Sequence, residues 1–250
     1  MTTSLNLIPE SILYPEDDGN PMAESTEQYR WIVTIKENLE LLFTSQADVF
    51  VAADLVWYPV QVSDPPAPRQ APDVMVIFGR PKGSRRSYLQ WKEGNIPAQV
   101  VFEILSARNK TRDGIEAMEY KFLFYEKYDI EEYYIYDPDE YTLEGWQRQG
   151  SKLVPIAQIS TWVSPRLGIR FEWQPRTELI LYRPDDRPFL SFVEVNQRAE
   201  QAEQALQQAE QALREAVPRL LALGLTQEQV ANSLNLPIAT VQAIADTLIS

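Results

Sequence analysis

The sequence predicts an α/β fold of α+β character: one domain with a mixed sheet over residues 1–190, followed by a C-terminal helical tail. Three observations carry this. Short apolar runs of strand length are interleaved with stretches of helical periodicity up to residue 183. Hydrophobic residues make up 44% of the 250 and charged residues 24%, the balance of a chain that can bury a core. From residue 194 the composition turns to Ala, Gln and Glu, with apolar positions in heptad spacing.

The first predicted helix is NPMAESTEQYRWIVTIKENLELLF (20–43). Asn20 can cap it, Pro21 suits a first turn, and Trp31, Ile35, Leu39 and Leu42 recur at helical spacing. Three strands are predicted next: DVFVAADLVWYPV (48–60), PDVMVIFG (72–79) and AQVVFEIL (98–105). The proline-rich SDPPAPRQAP between the first two cannot join a ladder. Helical spacing resumes over 114–128 through Ile115, Met118, Phe122 and Tyr125. EEYYIYDP (131–138) is a strand closed by Asp137-Pro138, and TLEGWQRQ, GIRFEW and TELILY alternate in twos. In the tail Val195, Ala199, Ala202, Leu206, Ala209, Leu213, Ala216, Leu220 and Leu223 step four, three, four, three. That predicts a coiled-coil helix over 191–217, ended or kinked at Pro218, and a small helical element over 218–250 with a stop at Gly224.

Composition excludes whole classes of chemistry. With Cys at 0 there are no disulfides or thiolate metal sites, which fits the cytoplasm. His is also 0, which removes Ser-His-Asp triads, His-zinc sites and imidazole bases together. Catalysis would have to run on carboxylates, lysine, hydroxyls or a metal held by oxygens. The net charge of -13 opposes non-specific adhesion to nucleic acid, so any such binding needs a local basic surface. No apolar run reaches the roughly 18 residues of a membrane span, and the first residues show no basic-then-apolar signal-peptide pattern.

Glu103 stands inside AQVVFEIL, among residues that want burial, and an unpaired buried carboxylate is costly. Asp73 opens the preceding strand. If the two strands pair antiparallel, both acids lie at one end of the sheet and repel unless a proton or cation sits between them. An oxygen-only site with room for water suits Mg²⁺. Glu24 falls at the helical angle of Ile35 and Leu42, on the face that should meet the sheet. Lys121, at the margin of its helix's apolar stripe, could reach over the strand ends toward the acids. Arg108, Lys110 and Arg112 form a short basic run at the same end, where bound phosphate would find cations. A second basic cluster, GRPKGSRRSYLQWK (79–92), lies at the far end. Each feature also has a purely structural reading: a salt-bridged strand-end acid, a capping acid, a solvated lysine, core tyrosines.

The segments MAES (22–25), PDV (72–74), FEILS (102–106) and KFLFYEKYDIEEYYIYDPD (121–139), in this order, resemble the Uma-type restriction endonucleases, a bacterial branch of the PD-(D/E)XK nuclease superfamily. The resemblance implies a restriction-endonuclease-like αβββαβ core that binds Mg²⁺ or Mn²⁺ and hydrolyses DNA phosphodiesters. It assigns metal binding to Asp73 and Glu103, a supporting acid to Glu24, and a catalytic role to both strand acids. The superfamily's usual lysine, two residues after the acid, is replaced by Leu105. Some members supply it from the following helix, which transfers the role to Lys121.

The expectations are a Mg-dependent endonuclease acting on DNA or, alternatively, a catalytically silent relative that binds DNA or a protein partner. A third possibility makes the tail the functional part. The heptad seam over 195–223 predicts a homodimer. The segment LTQEQVANSLNLPIATVQAI invites a helix-turn-helix reading, but its second helix (238–248) contains no Lys or Arg, which points to oligomerisation or docking instead.

Overall fold

The structure, a computed structural model, describes residues 9–246. Along the chain come α1 (Glu10–Leu13), α2 (Thr26–Leu42), β1 (Val49–Ala52), β2 (Trp57–Tyr58), β3 (Val74–Phe78), β4 (Tyr88–Leu89) and β5 (Val100–Ile104). These are followed by α3 (Arg112–Lys127), β6 (Glu132–Asp137), β7 (Thr142–Gln149), β8 (Lys152–Pro155), β9 (Arg170–Glu172) and β10 (Ile180–Tyr182). The last helices are α4 (Phe192–Ala222), α5 (Gln227–Leu234) and α6 (Ile238–Asp246). The main sheet runs β1-β3-β5-β6-β7-β8. Within this sheet β5 and β6 pair in parallel, joined across the face by α3, and the other neighbours pair antiparallel, so the sheet is mixed as predicted. The order α2, β1, β3, β5, α3, β6 is the αβββαβ core.

Side-chain alternation along the strands builds two apolar layers. On one face Trp31, Ile32, Ile35 and Leu39 of α2 meet Val74, Val76, Val100, Phe102 and Ile104. On the other, Phe124 and Tyr125 of α3 pack with Met75, Ile77, Val101 and Tyr133. Because Glu103 follows the parity of Val101, it is forced onto the α3 face.

Several boundaries differ from the prediction, each for a local reason. Helix α2 begins at Thr26, not at Asn20 or Pro21. Ser25 is the cap, accepting from the Gln28 backbone N–H at 3.1 Å. The Gln28 side chain accepts from Glu24 N–H at 2.7 Å and donates to Ile104 O at 2.8 Å, which pins the start of α2 to the end of β5. Glu24 is therefore outside the helix, not on its sheet-facing side. The predicted strand 48–60 breaks at Asp54, whose φ of 50° no strand residue adopts. Its second half pairs with β4 in a separate small sheet. β9 and β10 likewise form their own two-stranded sheet. Ile115, counted in the apolar stripe of α3, is 52% exposed.

The first turn of α3 rests on a 3₁₀ turn at Ala107–Lys110. A Cβ on Gly114 would stand 2.1 Å from Arg108 O, so only glycine allows this approach. The turn itself is closed by Asn109 Oδ1, which accepts from Ser106 N at 2.8 Å and Ser106 Oγ at 3.0 Å.

The chain divides into two compact units, Met1–Ser191 and Phe192–Ser250. In the second, α4 continues through Pro218 to Ala222 instead of ending there. A proline costs an interior helix one hydrogen bond. Here the last turn is held by burial of Val217 in a cluster with Val230, Ala231 and Val241 that Leu220 and Leu221 join. Gly224, at φ 91°, follows the helix end. Of the predicted helix 238–248, residues 238–246 are helical and 247–248 lie outside the described residues. Among the described residues no helix is long and apolar enough to cross a membrane.

Candidate active site

β3 and β5 pair antiparallel with Val74 opposite Phe102, so the next step along the ladder sets Asp73 across from Glu103. Asp73 Oδ2 accepts from Ile104 N at 2.6 Å, fixing the carboxylate over the end of β5. Glu103 is 2% exposed, and both of its oxygens are taken by α3. Lys121 Nζ donates to Oε2 at 2.6 Å and the Tyr125 hydroxyl donates to Oε1 at 2.5 Å. Residues four apart on a helix share a face, so one turn of α3 grips the whole carboxylate. The buried charge in β5 thus has two protein partners.

Electrostatics bind the group together. Burial, then the charge of Glu103, pushes the Asp73 carboxyl well above the usual carboxylate range. Burial alone would lower Lys121, but the charges of Glu103 and Asp73 outweigh it and raise the ammonium's pKa. Tyr125 is raised by burial and by the adjacent Glu103 charge, so it remains a donor. Asp54, at the break after β1, is pushed up to about 6 by burial and by the charge of Asp18.

Asp73 and Lys121 line a cavity of about 400 Å³ whose walls also carry Asp18, Asp54, Glu24 and Arg108. The predicted basic run separates here. Arg108 reaches the cavity and pairs with Glu24 at 2.8 Å. Lys110 is instead drawn to Asp137 at the end of β6, 3.0 Å away. Arg112 pairs with Glu116 one turn along α3, in solvent. Glu24 comes to the cavity but is held by Arg108. The second basic cluster is also engaged within the chain: Arg80 and Arg85 both pair with Glu93, Arg86 with Glu16 and Lys92 with Glu10.

Residues 17–179 match the family model Uma2, described as “Putative restriction endonuclease”. The chain belongs to the Uma2 family. The match spans the sheet, α2, α3 and every residue of the cavity described above, and stops before α4. A solved structure similar to this chain is that of a putative nuclease from Anabaena variabilis, with 14% sequence identity and a TM-score of 0.42 over 59% of this chain and 76% of that one. No curated protein matches the chain.

For a divalent cation at this Uma2 site, the donor set is the test. Among the described residues no three His, Cys, Asp or Glu side chains are grouped as a ready metal cage. Mg²⁺ does not need one, because it keeps several waters and takes one or two carboxylates. Asp73 and Glu103 would supply those carboxylates, and the burial and Glu103 charge that raise Asp73 and favour its protonated form are what a cation between the two would counter. The pair fits. Glu24, ion-paired to Arg108, makes no third ligand in this arrangement.

Sequence reasoning missed Asp54, Asp18 and Gln28, and it treated Tyr125 as core. Asp54 carried the same signal as Glu103, an acid inside an apolar strand-like run. Tyr125 could have been found from its spacing of four from Lys121. Asp18 had no signal in its loop.

Proposed function

We propose that this chain is a divalent-cation-dependent endonuclease that hydrolyses DNA phosphodiester bonds. The observation that carries the reading is Asp73 and Lys121 on a cavity wall, with the buried Glu103 bonded to Lys121 behind them, in a member of a family described as restriction endonucleases. In this reading Asp73 and Glu103 hold Mg²⁺ or Mn²⁺ and Tyr125 keeps Glu103 oriented. The bound cation supplies charge stabilisation and a lowered water pKa. Lys121, already charged, faces the cavity and offsets negative charge that builds on phosphorus oxygens as water attacks and the P–O bond breaks. Arg108, released from Glu24, meets the flanking phosphate; Lys110 and Arg112, paired with Asp137 and Glu116 away from the cavity, would have to be freed to meet phosphates further out. A cytoplasmic homodimer completes the reading, since cutting both strands of a duplex calls for two such sites. The test is nicking of supercoiled plasmid with added Mg²⁺ or Mn²⁺. Cleavage by the parent and none by Asp73→Asn or Glu103→Gln supports it; equal cleavage by parent and variants rules it out.

A second reading, a silent scaffold that binds DNA or a protein, is favoured by one observation. Arg108, Lys110 and Arg112 are all neutralised by acids of the same chain. Metal-dependent plasmid nicking by the parent protein separates the two.

A further inference from the structure

Helix α4 is 31 residues long, yet Val217 near its end is the one residue buried among those described. Its seam is open: Val195 is 49% exposed and Leu206 60%. Only the last turns join the cluster with α5 and α6. An isolated helix with so narrow an apolar stripe is marginal in water, so the seam needs a partner.

The charges beside the seam say which partner and in which direction. Leu206, Leu213 and Leu220 occupy a positions, and Val195, Ala202 and Ala209 occupy d positions. Arg198 is then at g, while Glu203 and Glu210 are at e. In a parallel, in-register pair each g residue faces the e residue five positions on in the other helix. That sets Arg198 against Glu203 of the partner subunit, twice by symmetry. The g positions Ala205 and Ala212 are neutral, and the last, Arg219, would face Gly224, beyond the end of α4. In an antiparallel pair e meets e and g meets g. With the leucines layered on the alanines, that sets Glu203 against Glu210 of the partner subunit and Arg198 against Arg219 of the partner subunit. Parallel pairing has only attractive contacts; antiparallel pairing has only repulsive ones.

We propose that α4 forms a parallel, in-register coiled coil with α4 of a second copy of this chain, specified by Arg198–Glu203 pairs across the seam. This rests on the homodimer reading above, and the experiment separates the two. The chain has no cysteine, so single cysteines report register without background. In full-length protein, Ala202→Cys faces itself only in the parallel register and should oxidise to a disulfide-linked dimer, whereas Gln201→Cys, pointing outward, should not. Arg198→Glu and Glu203→Arg should each weaken the dimer at least about tenfold, and the double variant should restore it. These exposed positions leave folding intact, which circular dichroism checks. Parent protein that scatters light as a monomer at tens of micromolar overturns the homodimer. A dimer that Ala202→Cys does not cross-link, or that the double reversal fails to restore, overturns the parallel register and leaves the homodimer standing.

Discussion

Replacing Lys121 by Met keeps the length of the side chain and removes its charge. Glu103, 2% exposed, then loses an ammonium 2.6 Å away and retains only the Tyr125 hydroxyl, with Asp73 still opposite. Removing one partner of a buried ion pair costs about 3–5 kcal/mol. The Lys121 side chain is 21% exposed, so water can reach the vacated space and the lower end, about 3 kcal/mol, applies. With a urea m-value of about 2 kcal/mol/M, the unfolding midpoint should fall by roughly 1.5 M. A divalent cation replaces the missing charge, so Mg²⁺ should raise the variant's midpoint more than the parent's. On the proposed reaction, the single-turnover rate on plasmid should drop at least about tenfold, or roughly 1.4 kcal/mol, with binding of uncleaved DNA little changed. An unchanged rate would remove Lys121 from the reaction. An unchanged midpoint would refute the claim that this pair holds Glu103 in the sheet.

Tyr125→Phe keeps the ring packed on Phe124 and Tyr133 and deletes one bond to Glu103, so stability should fall by about 1–3 kcal/mol; an unmoved urea midpoint contradicts it. Asp54→Asn tests the cavity's electrostatics, and asparagine tolerates the positive φ. A carboxyl raised to about 6 binds more protons folded than unfolded, so its contribution to stability falls as pH rises from about 4 through 6. The variant's stability advantage over the parent should therefore grow between pH 4.5 and about 7 in urea melts, and a constant difference would count against the shift. Gly114→Ala, which usually strengthens a helix by about 1 kcal/mol, should destabilise this one because of the contact with Arg108 O; thermal melts decide the sign.

The main strands and α3 were legible because apolar runs and helical spacing follow directly from which face is buried. The placement of the candidate site's acids was legible where it obeyed strand parity: Asp73 and Glu103 had to share an end once β3 and β5 paired. What was not legible depended on single backbone choices. Asp54 turns the chain out of the sheet with one positive φ, and an acid inside DVFVAADLVWYPV does not by itself tell a break in the strand from a buried charge such as Glu103. Ser25 outcompeted Asn20 as the cap because Gln28 could bond both the preceding loop and the end of β5, a tertiary contact no local pattern contains. Lys110 left the basic run for Asp137, which becomes its neighbour only after β6 has paired with β5.

The lysine of this site reaches Glu103 from a helix, across 18 residues of sequence, while the position two residues after the acid, just past the end of β5, holds Leu105. Two elements can deliver the same charge to the same point in space, so neither is obliged to keep it. With the ammonium supplied by α3, position 105 carries no electrostatic duty and an apolar leucine can stand there. The distance from Nζ to the carboxylate, not the spacing of letters along the strand, is what the site has to keep.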